Sequence, residues 1–340
     1  MTFEVSEAVA GSEPIIEIND LTVEYPSPRG VIKAVRGVSL KVYRGETLFL
    51  VGESGSGKTT LGLALLNLVP RPGRIVEGSI VYNIDGKSID ILKLSEDELR
   101  NFRWRNVAMV FQSALNSLNP VLRIWDQMYD TIESHDSSIS RDESYERVRR
   151  LLNLVRLDPA RVLKAYPHQL SGGMRQRVMI AMSLLLNPKV LILDEPTTAL
   201  DLLTQKSIMD VLKSIKRELG LTMIFITHDL ALAAELADRV AVMYAGKIVE
   251  LGDVYEVFYR PKHPYTYALL KTVPKLTSIH EELYPIPGSP PDMSNLPPGC
   301  KFHPRCPYAV DTCMSSEPGE EWMAPNRMVS CHRFKELSLG

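Results

Sequence analysis

The sequence predicts an α/β fold, a largely parallel sheet covered by helices, followed by a smaller C-terminal part. Three observations carry this. Short apolar runs alternate with helix-period patterns from about residue 15 to residue 252, a glycine-rich loop joins one such run to a helix, and the composition shifts after Tyr259. At 340 residues the chain exceeds what one hydrophobic core usually serves, so one large domain plus an appendage is the expectation.

Hydrophobic residues make up 45% and charged residues 24%, which suffices for a buried core and excludes global disorder. A formal charge of -2 removes the electrostatic footprint of a nucleic-acid binder. No apolar run approaches the roughly 18 residues of a transmembrane helix. The acidic start, with Glu4, Glu7 and Glu13, reads as neither a secretory signal nor an anchor, so residues 1–14 are expected to be a flexible N-terminus.

The runs Leu48 to Val51, Val190 to Leu193, Met223 to Thr227 and Val240 to Met243 read as buried strands. Tyr145, Val148, Leu151, Leu152 and Val155 recur at helical spacing, as do Ile208, Val211, Leu212, Ile215 and Leu219, so both stretches predict amphipathic helices. Of the 23 prolines, 13 lie in the last 80 residues, where helix and central strand are hard to sustain, and a boundary is placed near residue 255.

Gly52-Glu53-Ser54-Gly55-Ser56-Gly57-Lys58-Thr59 matches the P-loop pattern and lies between the strand Leu48 to Val51 and a helical run from Thr60. Its glycines let successive N–H groups face phosphates, Lys58 adds a point charge, and the Thr59 hydroxyl can hold Mg2+. The run Val190 to Leu193 ends in Asp194 and Glu195. Two acids at a strand end are costly unless a cation is near, and Mg2+ beside a nucleotide supplies one. By position, Asp194 would hold the metal and Glu195 would polarise the attacking water.

Leu170-Ser171-Gly172-Gly173-Met174-Arg175-Gln176-Arg177 closely resembles the signature motif of the ABC ATPases. A chance match to its fixed letters is on the order of 10^-5 for ordinary composition. Met174 replaces the commoner glutamine, a departure familiar among peptide importers. The resemblance implies that Ser171, Gly172 and Gly173 of one subunit close over the ATP held by a second ABC ATPase subunit. It also implies a Q-loop glutamine at Gln112, a D-loop at Thr198-Ala199-Leu200-Asp201, a switch histidine at His228 and an adenine-stacking aromatic at Tyr25. The expected nucleotide site is then Tyr25, Gly52 to Thr60, Gln112 and Asp194 with Ser171, Gly172 and Gly173 of the facing subunit. Thr59, Gln112 and Asp194 would surround Mg2+, and Glu195, His228 and Gln112 would be catalytic.

Ser117-Leu118-Asn119-Pro120, His263-Pro264-Tyr265 and the cysteine tail extend the likeness to about residues 15 to 340 and narrow it to the ATP-binding subunits of oligopeptide and dipeptide importers. That family also includes importers of nickel and oligosaccharides. The resemblance implies a P-loop (RecA-like) ABC ATPase domain over residues 15–255, with an N-terminal antiparallel β edge and a helical subdomain at about 113–186, and a C-terminal domain over 256–340. It implies two transmembrane permease subunits, an extracytoplasmic solute-binding protein, no nucleic acid, and a peripheral place at the cytoplasmic face of the membrane. A soluble ABC ATPase acting on nucleic acid is the rival, against which stands the lack of a coiled-coil insertion or a second ATPase domain.

All four cysteines fall in the tail, spaced Cys300-x5-Cys306-x6-Cys313-x17-Cys331. Four thiolates from a proline-rich segment suit a metal staple. Zinc prefers closer Cys pairs and remains the alternative, while the importer resemblance implies a [4Fe-4S] cluster. The cluster is expected to hold the tail together and to take no part in ATP chemistry.

Overall fold

The computed structural model describes residues 13–112, 117–198, 200–272 and 285–339. The expectation for the first residues, the start of the helical subdomain and Ala199 of the D-loop lie outside these. The chain forms two compact units, residues 1–92 with 226–340, and residues 93–225.

The first unit opens with two long strands, β1 (Pro14–Ser27) and β2 (Gly30–Tyr43), and β3 (Thr47–Val51), which leads into α1 (Lys58–Ala64), β4 (Arg74–Ile84) and β5 (Lys87–Asp90). Strands β1, β2, β4 and β5 make the expected antiparallel edge in the order β2-β1-β4-β5. β1 alternates buried Ile16, Ile18, Leu21 and Val23 with polar residues, the pattern of a sheet with one face on a core.

The second unit holds α2 (Glu96–Phe102), β6 (Val107–Val110), α3 (Ile124–His135), α4 (Arg141–Leu154), α5 (Pro159–Val162), α6 (Gly172–Ser183), β7 (Val190–Asp194), α7 (Leu202–Leu219) and β8 (Thr222–Thr227). β6 and β7 are parallel, and the order is β8-β7-β6. The two amphipathic helices read from periodicity are α4 and α7. Ser140 and Glu143 close a capping box on α4, and Asp201 caps α7 while Gly220 at φ 59 ends it. Their apolar faces, Val148, Leu151 and Leu152 on one and Ile208, Val211, Leu212 and Ile215 on the other, are buried.

The chain then returns to the first unit through α8 (Leu230–Leu236), β9 (Arg239–Tyr244), β10 (Lys247–Asp253), α9 (Val254–Tyr259), α10 (Pro264–Lys271), α11 (Asp311–Ser315), β11 (Glu321–Ala324) and β12 (Arg327–Val329). Here the order is β11-β12-β10-β9-β3, with β3 parallel to β9. β3 is buried at all five positions, as a strand covered on both faces must be.

The tail sustains more regular structure than its prolines suggest. Pro264 stands at the first turn of α10, where a missing N–H costs nothing, and β12 is free of proline between β10 and β11. No helix among the described residues is long and apolar enough to cross a membrane. A C-terminal metal-binding domain is not shown: among the described residues no group of three or more His, Cys, Asp or Glu is arranged to hold a metal ion.

Candidate functional site

In the first unit the chain leaves β3 and turns through Gly52 to Gly57 into α1. Ser54, Gly55 and Thr59 are exposed, while Ser56 and Lys58 are buried. Gly57 has φ 104, and a Cβ there would stand 2.1 Å from the Ala34 carbonyl oxygen, so no other residue lets the loop lie so close to β2. Lys58 folds back over the loop, its Nζ donating to the carbonyls of Gly52 at 2.7 Å and Glu53 at 2.8 Å. The ammonium therefore sits against the loop backbone, where it adds positive charge beside the glycine-rich turn. Tyr25, in β1, lays its ring against the backbone of Gly73, where an added Cβ would meet Cε1 at 2.4 Å. His228 is exposed directly after β8 and just before Asp229, the N-cap of α8.

In the second unit β7 is buried along its length and delivers Asp194, 1% exposed, to its C-terminal end. Glu195 follows with φ 46, a left-handed conformation that a glutamate adopts only when its surroundings enforce it. Its Oε2 accepts hydrogen bonds from Gln112 Nε2 and Thr198 Oγ1, both at 2.9 Å. Gln112 and Glu195 are thus brought together, and the two donors hold the carboxylate in one orientation. Ser171 caps α6, its Oγ accepting from Met174 N at 3.3 Å. Gly173 is the contact point of α6 with α7, since a Cβ there would meet Thr204 Cγ2 at 2.4 Å.

The Ser117 to Pro120 stretch has a structural explanation. Asn119 N donates to Gln127 Oε1 at 2.8 Å, and Gln127 Nε2 donates back to the carbonyls of Asn119 and Leu122. Beyond it lies a groove of about 610 Å³ whose walls include Val121, Arg123, Trp125, Tyr145, Leu163 and Tyr166.

The tail motif His263-Pro264-Tyr265 is equally explicit in the first unit. His263 Nδ1 accepts from Tyr265 N at 3.0 Å and caps α10, and Tyr265 Oη accepts from Glu53 N at 2.8 Å. Burial drives the His263 imidazole pKa down to about 3, so the ring is neutral and able to accept. Beneath it Glu250, wholly buried, accepts from Arg327, from His263 N and from Lys262 N.

Cys300, Cys306, Cys313 and Cys331 line one small cavity together with His303 and His332. Cys300 N donates to Cys313 O, which joins the first and third cysteines through the backbone. Burial, with a smaller contribution from neighbouring thiols, pushes Cys306 up to about 11 and Cys331 up to about 12, and also raises Cys300. His303 Nδ1 and His332 Nε2 face the carbonyls of Cys300 and Ser316.

Two functional-site contacts escaped the sequence reading. Thr198 entered only as a letter of the D-loop and proves to hold Glu195. Arg305, between two cysteines, reaches the P-loop: its guanidinium grips the Glu53 carboxylate through Nη1 at 2.7 Å and Nη2 at 2.9 Å. Neither carries a periodicity or spacing signal: Thr198 meets Glu195 through the local turn after β7, and Arg305 meets Glu53 across 252 residues.

A P-loop, a strand-end acid pair and the Ser171 to Gly173 helix start define the class: an ATPase of the ABC type. The ABC transporter family model matches residues 35–198, and the model of the oligopeptide/dipeptide transporter C-terminal region matches residues 249–313. The chain is 45% identical over 322 residues to the dipeptide transport ATP-binding protein DppD of Caldanaerobacter subterraneus subsp. tengcongensis, covering 95% of this chain and 98% of that protein. It is 44% identical to the oligopeptide transport ATP-binding protein OppD of Escherichia coli, covering 99% and 98%. Among solved structures it resembles the dimeric bacterial ABC transporter cassette MJ0796, with TM-score 0.60, 31% identity and coverage of 70% of this chain and 98% of that one. A further likeness is to cbiO1 of Clostridium perfringens, part of the transporter complex cbiONQ, with TM-score 0.61, 30% identity and coverage of 73% and 92%. The chain belongs to the ATP-binding subunits of the oligopeptide/dipeptide ABC transporters.

Proposed function

We propose that the chain hydrolyses Mg-ATP to power a membrane importer of short peptides, with residues 15–255 as its ATPase domain and 256–340 as the C-terminal region of the peptide-importer type. The observation that carries the hydrolytic reading is the Glu195 carboxylate, forced into a left-handed backbone and gripped by Gln112 and Thr198. A carboxylate so held is the group to take the proton of a water attacking the γ-phosphate. Gly52 to Gly57 cradle the phosphates, Lys58 neutralises them, Thr60 extends the helix start beside them, and Tyr25 offers its ring to the adenine. His228, exposed just after β8, would be the switch residue for the γ-phosphate. Thr59, Asp194 and Gln112 each carry an oxygen donor of the kind Mg2+ prefers and would be its ligands. When bound, Mg2+ offsets the charge on the phosphates, and these three residues hold it.

Ser171, Gly172 and Gly173 act on the nucleotide of a second, identical or homologous ATPase subunit. The aromatic and basic groove at Arg123, Trp125, Tyr145 and Tyr166 lies a few residues beyond Gln112 and supports docking of one of two transmembrane subunits there. Those subunits would take solute from an extracytoplasmic binding protein, and the chain would work at the cytoplasmic face.

The four cysteines line one cavity and would supply soft ligands there. This supports the [4Fe-4S] reading, with zinc as the second choice. Protein purified without oxygen should absorb broadly near about 400 nm and hold about four irons per chain. Stoichiometric zinc without iron would overturn the cluster, and no metal would overturn both.

The nucleotide reading is tested by Mg-ATP titration and phosphate release. Lys58→Ala should lose nucleotide affinity, while Glu195→Gln should keep it and lose about 10^2-fold or more in turnover. Turnover near wild type in Glu195→Gln would remove that residue from its role.

A further inference from the structure

Nothing in the roles above uses Glu53 beyond its place in the loop, yet its carboxylate, its N–H and its carbonyl are all engaged. Its carboxylate takes both forks of Arg305, whose side chain is only 6% exposed and whose Nε donates to Pro287 O at 2.7 Å. Its N–H donates to Tyr265 Oη, and its carbonyl accepts from Lys58 Nζ. The N–H of residue 53 is tied to the tail, and its carbonyl accepts from both Lys58 Nζ and the Ser56 N–H, so Glu53 links the tail to the rest of the loop.

The grip on Glu53 is itself rigid. Tyr244, Tyr265 and Phe302 pack in tilted and edge-on pairs with centroid separations of 4.5 to 5.4 Å, and the Arg305 guanidinium lies 5.9 Å from the rings of Tyr244 and Phe302. Arg305 ends a short 3-10 turn, His303–Arg305, set between Cys300 and Cys306. The segment that carries the guanidinium is therefore pinned at both ends by residues lining the cysteine cavity.

We infer that Arg305, with Tyr265, is a positioning residue for phosphate binding: through Glu53 the C-terminal segment holds the P-loop, and Lys58 with it, in the shape that receives ATP. The inference rests on the P-loop being the nucleotide site. A bidentate guanidinium orients a carboxylate where a point charge cannot, which makes Arg305→Lys an incomplete substitute. Removing either partner leaves a poorly solvated charge that the loop accommodates by moving.

The test is a double-mutant cycle on the full chain, with Glu53→Gln, Arg305→Gln and the pair, reading the Kd for Mg-ATP, with thermal melts to verify folding. Each single variant should weaken binding about tenfold, equal to about 1.4 kcal/mol, and the double variant no more than the worse single. Arg305→Lys should fall between wild type and Arg305→Gln. Tyr265→Phe, which removes only the acceptor of the Glu53 N–H, keeps the test valid should Arg305→Gln fail to fold, and should weaken binding in the same direction. Folded variants with Kd within twofold of wild type, or a double variant whose loss is the product of the two singles, would overturn the inference. Lys58→Ala run alongside separates the two levels. Its loss of affinity beside unaffected Arg305 and Tyr265 variants sinks the positioning role alone, whereas affinity retained in Lys58→Ala sinks the nucleotide reading and this inference with it.

Discussion

Thr198 shows how much of a catalytic position is decided one side chain away. Its hydroxyl and the Gln112 amide share one oxygen of Glu195, and the left-handed φ of that residue leaves the carboxylate few other directions. Thr198→Val keeps the shape and removes one donor. Turnover should fall about tenfold with KM for ATP within twofold, because the lost contact aims the base and does not bind the nucleotide. A rise in KM at constant kcat would assign Thr198 to nucleotide binding instead. Asp194, Glu195 and Lys58 were legible in the sequence because each sits at a fixed step from a strand end or a glycine turn. Thr198 and Arg305 were not, because no local pattern announces a partner 3 or 252 residues away that is chosen by the fold.

At the scale of elements, α4 and α7 could be read from helical periodicity and the buried strands β3, β7 and β8 from continuous apolar runs, since burial on one face gives the first and burial on both gives the second. The short helix α10 could not, because His263, Pro264 and Tyr265 carry the functions of cap, first turn and tether rather than an apolar stripe. The neutral His263 imidazole gives that helix a pH dependence. Its titratable surroundings are Glu250, which accepts from its backbone N–H, Arg327 on β12, and the four cysteines, His303, Tyr308, His332 and Arg333 lining the same cavity. The unfolded chain takes a proton on this ring below about 6.5, and the folded chain refuses it down to about 3. The unfolded state thus binds more protons in that window, and stability must fall as pH drops through it, by up to about 1.4 kcal/mol per pH unit. His263→Asn keeps a cap acceptor and cannot titrate there. Melting curves should show wild type losing more than the variant between pH 6.5 and 4, and parallel losses would exclude His263 as the cause.

For the whole molecule, the decisive feature is a helix start without a phosphate of its own. Ser171 caps α6 with the N-terminal amides of Gly172 and Gly173 beside it, yet the P-loop already furnishes one chain with a phosphate cradle. In the proposed sandwich of two subunits this start would serve the nucleotide of the facing subunit, and two-fold symmetry would then make two composite sites. Consider a mixed dimer in which one chain carries Ser171→Arg and the other Glu195→Gln. The chain with Ser171→Arg contributes an intact P-loop and Glu195 to a site completed by the unmodified Ser171 of its partner. The second site collects both defects. Neither homodimer has an intact site, so activity that appears only on mixing can come from nowhere but the crossed arrangement. Mixed dimers isolated through two different tags should hydrolyse ATP at about half the wild-type rate per dimer, one working site of two. If Ser171 acted on the nucleotide of its own chain, each chain of the mixed dimer would keep its single defect and the rate would stay at that of the inactive parents.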